Sequence, residues 1–169
     1  SIIHDTQRAM SNGKNSFEVV YNKILKVQQK IGKTKKMGAL AVFTRKTYEN
    51  LDVFYNFFKQ NNLGLQINPL IHKGSAESSM PNEMFVTPKE YGLALIYLFD
   101  KWISEPNYSI SIQPFENILK SLVTGKPHCC SFSKNCFSDY LSIDPDGNIT
   151  PCGRWDKTDF CYGNINQHT

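Results

Sequence analysis

Two short apolar runs limit what this chain can fold into. Residues 37–43 read MGALAVF and residues 63–69 read LGLQINP, and helix-length segments separate them. The first run is continuously apolar, as suits a buried strand. The second alternates apolar and polar, the period of a strand. Upstream, Phe17, Val20, Tyr21, Ile24, Val27 and Ile31 recur at helical spacing, and Gly32 closes the run. Asn15 followed by Glu18 has the spacing of a capping box at its start. A second helix is predicted over about 46–61, where Leu51, Phe54, Tyr55 and Phe58 share a face.

Beyond the second run, residues 71–86 lack periodicity and read as a long loop, of the kind that is often functional. Thr87-Pro88-Lys89-Glu90 is a strong helix start: Thr87 caps, Pro88 fits the first turn and Glu90 completes the box. Tyr91, Ala94, Leu95, Leu98, Phe99 and Trp102 carry that helix to about 104. A strand is predicted at Tyr108–Ile112. A last helix carries Phe115, Ile118, Leu119 and Leu122 and stops at Gly125.

Alternating helices and strands predict a parallel α/β fold. Two or three strands are too few to close such a sheet, so the pattern fits the second half of a barrel or open sheet. Functional side chains in such folds cluster where strands end. Thr44, Arg45 and Asn68 occupy those positions, and serving as helix caps or loop polars is the alternative for each.

At Lys126 the apolar periodicity stops and cysteines begin. The domain boundary is therefore expected there, with residues 1–125 in one domain and 126–169 in another. The chain has 169 residues, 40% of them hydrophobic, enough for one domain plus a small appendage. Its net charge of +4 comes with no broad basic stripe; residues 33–36, KTKK, read as a solvated loop. No nucleic-acid partner is expected. No apolar run nears the ~20 residues of a membrane span, and no signal peptide opens the chain, so a cytoplasmic setting without a membrane partner is expected. A start at Ser1 and a stop just past a predicted turn read as a piece of a longer protein.

Four of the five cysteines lie within residues 129–152. Clustered thiols in a reducing compartment favour metal over disulfides. The spacing is Cys130-x5-Cys136-x15-Cys152, with a predicted β-hairpin between the last two. Leu141 and Ile143 alternate with Ser142 and Asp144, as in a half-buried strand. Pro145, Asp146 and Gly147 supply a turn, with Gly147 free to take positive φ. The hairpin would return Cys152 toward Cys136. Three thiols want a fourth ligand. Cys161 could close a four-thiolate zinc site, an iron–sulfur cluster fits equally, and buried structural cysteines remain an alternative. Cys129, beside Cys130, reads as a spare.

Cys136, Gly147 and Cys152 form C-x10-G-x4-C, which resembles the opening motif of the SPASM domain, the C-terminal extension of many radical S-adenosyl-L-methionine (SAM) enzymes. IDPDGNITPC and the later Tyr162-Gly163-Asn164-Ile165 match that style. Independently, Ser1-Ile2-Ile3-His4-Asp5-Thr6-Gln7-Arg8, then Gly13 and Ser16-Phe17, resembles the S…HD..R…G..SF segment in the middle of the radical SAM barrel. Both ends match in the right order, so the resemblance covers nearly the whole chain.

The resemblance implies an α/β architecture: the second half of a partial (β/α)6 radical SAM barrel at 1–125, then a truncated, cysteine-rich SPASM segment with a β-hairpin at 126–169. It implies that Arg8 holds the SAM carboxylate, a pairing suited to guanidinium geometry. It implies that Cys130, Cys136 and Cys152 are three ligands of an auxiliary [4Fe–4S] cluster. In the family the fourth ligand comes from a later C-x2-C-x5-C-x3-C run, which would make Cys161 a bystander. The C-x3-C-x2-C motif of the SAM-cleaving cluster is absent from this sequence, so the implied activity concerns a longer parent. That activity is modification of a peptide or protein side chain, begun by hydrogen abstraction by a 5′-deoxyadenosyl radical. A flavodoxin or ferredoxin is the implied electron donor.

One subgroup, the anaerobic sulfatase maturases, makes formylglycine and typically has an aspartate base directly after the cysteine equivalent to Cys152. Here that position is Gly153, which cannot take a proton. A maturase of ribosomally made peptides is therefore the expected activity. The sulfatase maturase stays open through Asp156 or Asp159, and a non-catalytic zinc-binding α/β module is the reading from another class.

Overall fold

The computed structural model describes residues 2–8, 10–32, 36–72, 80–106, 110–130, 140–153 and 160–167. It divides into two compact units, 1–116 and 117–169.

The first unit holds three parallel strands in the order β1-β2-β3: Gly38–Phe43, Gly64–Pro69 and the short Ile112–Gln113. Among the described residues its α-helices are α1 (Ile2–Asp5), α2 (Phe17–Ile31), α3 (Arg45–Tyr48), α4 (Leu51–Gln60) and α5 (Pro88–Ile103). Helix α6 (Phe115–Thr124) carries the boundary between the units.

In register, Ala39 lies beside Leu65, Ala41 beside Ile67, and Leu65 beside Ile112. Partners in a parallel ladder share a face, so these residues and Phe43 form one side of the sheet. That side is the buried one: Phe43, Leu65, Ile67 and Ile112 are all buried. Helices α4 and α5 cover it with Phe54, Phe58, Ala94, Leu98 and Trp102. Phe43 meets Phe54 and Tyr91 edge-on, and Tyr91 also donates its hydroxyl to the Ile67 carbonyl at 3.2 Å. Trp102 satisfies its indole N–H on the Ile110 carbonyl at 2.8 Å, so burying it leaves no polar group unpaired. The alternate residues Leu40, Val42, Gln66, Asn68 and Gln113 point to the opposite side. Leu40 is 60% exposed there.

Helix α5 begins as its sequence dictates. The Thr87 hydroxyl accepts from the Glu90 N–H, and the Glu90 carboxylate accepts from the Thr87 N–H at 2.8 Å. The start of α2 departs from expectation, because the Asn15–Glu18 box does not form. Ser16 is the N-cap, its side chain turns away, and the carboxylate of Asp5 receives the Phe17 N–H instead. The helix expected over 46–61 is interrupted at Glu49 and Asn50. Asn50 takes non-helical angles, donates its side-chain amide to the Lys46 carbonyl, and starts α4 through Phe54 N–H to Asn50 C=O. The strand expected at Tyr108–Ile112 is described only at Ile112–Gln113, and residues 107–109 lie outside the described residues.

In the second unit, β4 (Ser142–Ile143), β5 (Asn148–Thr150) and β6 (Gly163–Asn164) form an antiparallel sheet. Gly147 takes φ +87° in the turn, as glycine alone does freely. Ile143 pairs with Ile149, but Leu141 and Ile143 are 70% and 57% exposed. The alternation at 141–144 thus marks a strand without marking burial.

Candidate functional site

Arg8 ends a turn that is fastened from several directions. Its N–H donates to the His4 carbonyl at 3.0 Å, and its own carbonyl accepts the Ser16 hydroxyl. Ser16 Oγ also lies 2.9 Å from His4 Nε2. Two further bonds, Met10 N–H to Lys14 C=O and Gly13 N–H to Met10 C=O, both 2.8 Å, close the loop between. The HD and SF residues of the motif are thus mutually bonded: His4 to Ser16, and Asp5 to the Phe17 N–H at 2.9 Å. Burial holds the His4 imidazole below its usual 6.5, the Arg8 charge acts in the same sense, and Asp5 opposes both. His4 is therefore neutral near pH 7 and adds no repulsion to Arg8.

The Arg8 side chain is exposed and lines a groove of about 1130 Å³ with His4, Gln7, Phe17, Val42 and Thr47. The groove lies by the C-terminal end of β1, where Gln7 Nε2 donates to Thr44 Oγ1 at 2.7 Å. Among the described residues no carboxylate pairs with the Arg8 guanidinium. Thr47 Oγ1 is buried and has no hydrogen-bond partner among them. An unengaged guanidinium in a groove of this size suits a small ligand that carries a carboxylate.

The strand-end residues have separate fates. Thr44 is 1% exposed and receives Gln7. Arg45 grips Glu90 with two bonds, 2.6 and 2.8 Å, and reaches the Phe85 carbonyl at 3.2 Å. That bidentate pair, helped by the Thr87 N–H and hydroxyl, lowers the Glu90 carboxyl to about 2. Arg45 is thereby committed to the start of α5. Asn68 is half-buried on the same side of the sheet as Leu40, its Oδ1 3.5 Å from Gln66 Nε2. Sequence reasoning missed Gln7, Thr47 and Gln113. The Gln113 amide bonds Glu116 at 3.3 Å while its Oε1 is buried and without a partner among the described residues. Only the alternation of the β3 strand could have marked it.

In the second unit, Asp144 organises the hairpin turn. Its carboxylate accepts from the N–H groups of Asp146 and Asn148, both at 2.9 Å, and from the Asn148 side chain at 2.8 Å. Asn164 Nδ2 bonds the Asp146 carbonyl at 2.9 Å, tying β6 to the same turn. Cys152 follows β5 and is half-buried, with its carbonyl accepting the Thr150 hydroxyl at 3.2 Å. Cys130 and Cys161 are exposed, and the Cys161 thiol contacts the Gly163 carbonyl at 3.1 Å. Cys136, Asp156 and Asp159 lie outside the described residues. Among the described residues no group of three His, Cys, Asp or Glu is poised to hold a metal. Among the described residues, a Cβ at Gly153 would meet only Ser142 Oγ, at an ordinary 3.6 Å. No helix among the described residues is long and apolar enough to cross a membrane.

No family model matches the chain. It is 27% identical to the serine-type anaerobic sulfatase-maturating enzyme of Bacteroides thetaiotaomicron, over 98% of this chain and 42% of the relative. It is 26% identical to the cysteine-type enzyme of Clostridium perfringens, over 99% of this chain and 45% of the relative. These homologues are anaerobic sulfatase-maturating enzymes. The chain spans less than half the length of these curated relatives. The sulfatase maturase anSMEcpe supplies the structural likeness. Its polyhistidine-tagged form with bound AdoMet superposes with a TM-score of 0.78 at 23% identity, over 99% of this chain and 44% of that one. Its native form with AdoMet and a bound peptide gives 0.72 at 23% identity, over 99% and 46%. At that identity the likeness establishes a shared mixed α/β fold.

Proposed function

We propose that this chain is part of a radical SAM maturase that modifies a side chain of a peptide or protein. Residues 1–125 form the second half of a partial (β/α)6 barrel, and residues 126–169 begin a SPASM domain. The observation that carries this reading is Arg8. Its main chain is fastened, and its guanidinium pairs with no carboxylate among the described residues, in a groove at a strand end, in a chain aligned almost end to end with two maturases.

Arg8 binds the SAM carboxylate through its guanidinium fork. Gln7 and Thr44 fix α1 against the end of β1, and Phe17 and Val42 give the groove its apolar wall. When bound, SAM supplies the hydrogen-abstracting chemistry. Cys130, Cys136 and Cys152 contribute three thiolates to an auxiliary [4Fe–4S] cluster, whose chemistry is electron acceptance. The Asp144 turn sets the direction of β5, which Cys152 follows. A flavodoxin or ferredoxin would deliver electrons.

Gly153 favours a ribosomally made peptide as substrate, since the position offers no carboxylate to act as base. Formylglycine formation in a sulfatase is the second reading, favoured by the two relatives. The full-length protein, purified without air and supplied with SAM and a reductant, separates them. A sulfatase-motif peptide should return at unchanged mass. Conversion of its Cys or Ser to formylglycine, read by mass spectrometry, would establish the second reading over the first.

A further inference from the structure

We infer that Ser16, held with His4 and Asp5, is a positioning residue that sets Arg8 for its ligand. This rests on the proposed role of Arg8 and goes beyond it, to residues with no assigned part in that role.

The argument begins with what fixes an arginine in space. A guanidinium on a long, flexible stem loses much rotamer freedom when it engages a planar anion. The cost falls when its main chain is already fixed. Both main-chain polar groups of Arg8 are engaged: the N–H by His4 and the carbonyl by the Ser16 hydroxyl. Ser16 is in turn fixed by His4 Nε2 at 2.9 Å, and α2 is anchored beside it where Asp5 receives the Phe17 N–H. His4 packs edge-on against Phe17, ring centres 5.7 Å apart, so the partner of Ser16 is itself braced. Ser16 is the N-cap of α2 yet makes no side-chain cap bond. A serine at that position ordinarily caps its own helix. Here that duty has passed to Asp5, which leaves the Ser16 hydroxyl for the Arg8 carbonyl. His4, Asp5 and Ser16 thus form one latch around the turn that ends in Arg8.

The test uses the full-length protein. Ser16→Ala should weaken SAM binding about fivefold, as loss of one hydrogen bond predicts, while Ser16→Thr should restore it. Asp5→Ala should weaken binding, and Asp5→Asn, which keeps the acceptor oxygen, should not. Hydrogen exchange at the Arg8 and Gly13 amides should speed up in Ser16→Ala and Asp5→Ala, with or without SAM. In an Arg8→Ala background, Ser16→Ala should cost no further affinity, because Ser16 acts through Arg8. The inference is overturned if Arg8→Ala weakens SAM while Ser16→Ala leaves affinity and exchange unchanged, or if the two losses add. Unchanged affinity in Arg8→Ala would sink the Arg8 reading itself, a different outcome.

Discussion

Replacing Gly147 with alanine should loosen the pairing of β5, which precedes Cys152, with β6. Gly147 sits at φ +87°, where an L-residue pays roughly 1–2 kcal/mol of steric cost. The added Cβ would also come within 2.5 Å of Asn166 Nδ2, 3.0 Å of Ile165 Cγ1 and 3.1 Å of Asn164 Oδ1. All three belong to the segment at and after β6, so relief of the clash must displace that segment. Its bonds to the turn are Ile165 N–H to Gly147 C=O at 2.9 Å and Asn164 Nδ2 to Asp146 C=O. Conformational strain and displacement together should cost about 2 kcal/mol, close to a thirtyfold shift in local opening. Amide hydrogen exchange in the full-length protein reads this directly. The Ile165 and Tyr162 amides, which bond Gly147 and Ile149, should exchange about thirty times faster, with the α5 amides unchanged. Wild-type protection of Ile165 in Gly147→Ala would refute the reasoning. Gly147→Asn, which tolerates positive φ better but carries the same Cβ, should fall between the two.

Glu90→Gln should lower stability near neutral pH and have no effect at very low pH. Its folded pKa lies near 2 against an ordinary 4.5, so its stabilisation is complete above about pH 4.5 and lost as pH falls toward 2; parallel melting curves of wild type and variant across that range check the sign. Leu98→Ala should cost about 3 kcal/mol in urea unfolding, since Leu98 is wholly buried under the sheet, whereas Val53→Ala, at an exposed site, should cost under about 0.5 kcal/mol. Gly153→Asp should fold as the wild type does, because a Cβ there meets only an ordinary contact among the described residues and the position has no positive φ; a loss of melting temperature would show the site to be closed.

The strands and α5 were legible because their signals are local. MGALAVF and LGLQINP carry their own period, and Thr87, Pro88 and Glu90 lie within one turn. The start of α2 was not, because its cap is Asp5, twelve residues away from Phe17 and brought there by a turn that no spacing rule describes. The break between α3 and α4 had a signal in Asn50, a residue type favoured as a helix cap, but the apolar face of 51–58 outweighed it. Arg45 had two open readings at its strand end, and its pairing with Glu90, 45 residues on, fits the structural one. Arg8 was singled out only through the motif around it, and its role stands as a proposal. Composition would have left it a surface arginine.

Metal and SAM analysis of the full-length protein tests the central claim most directly. Purified without air, the protein should contain iron and acid-labile sulfide, show broad visible absorption, and cleave SAM when reduced. Iron and sulfide should fall when Cys130 or Cys152 is replaced by alanine. Zinc in place of iron, with no SAM cleavage, would contradict the radical SAM reading and leave a zinc-binding α/β module.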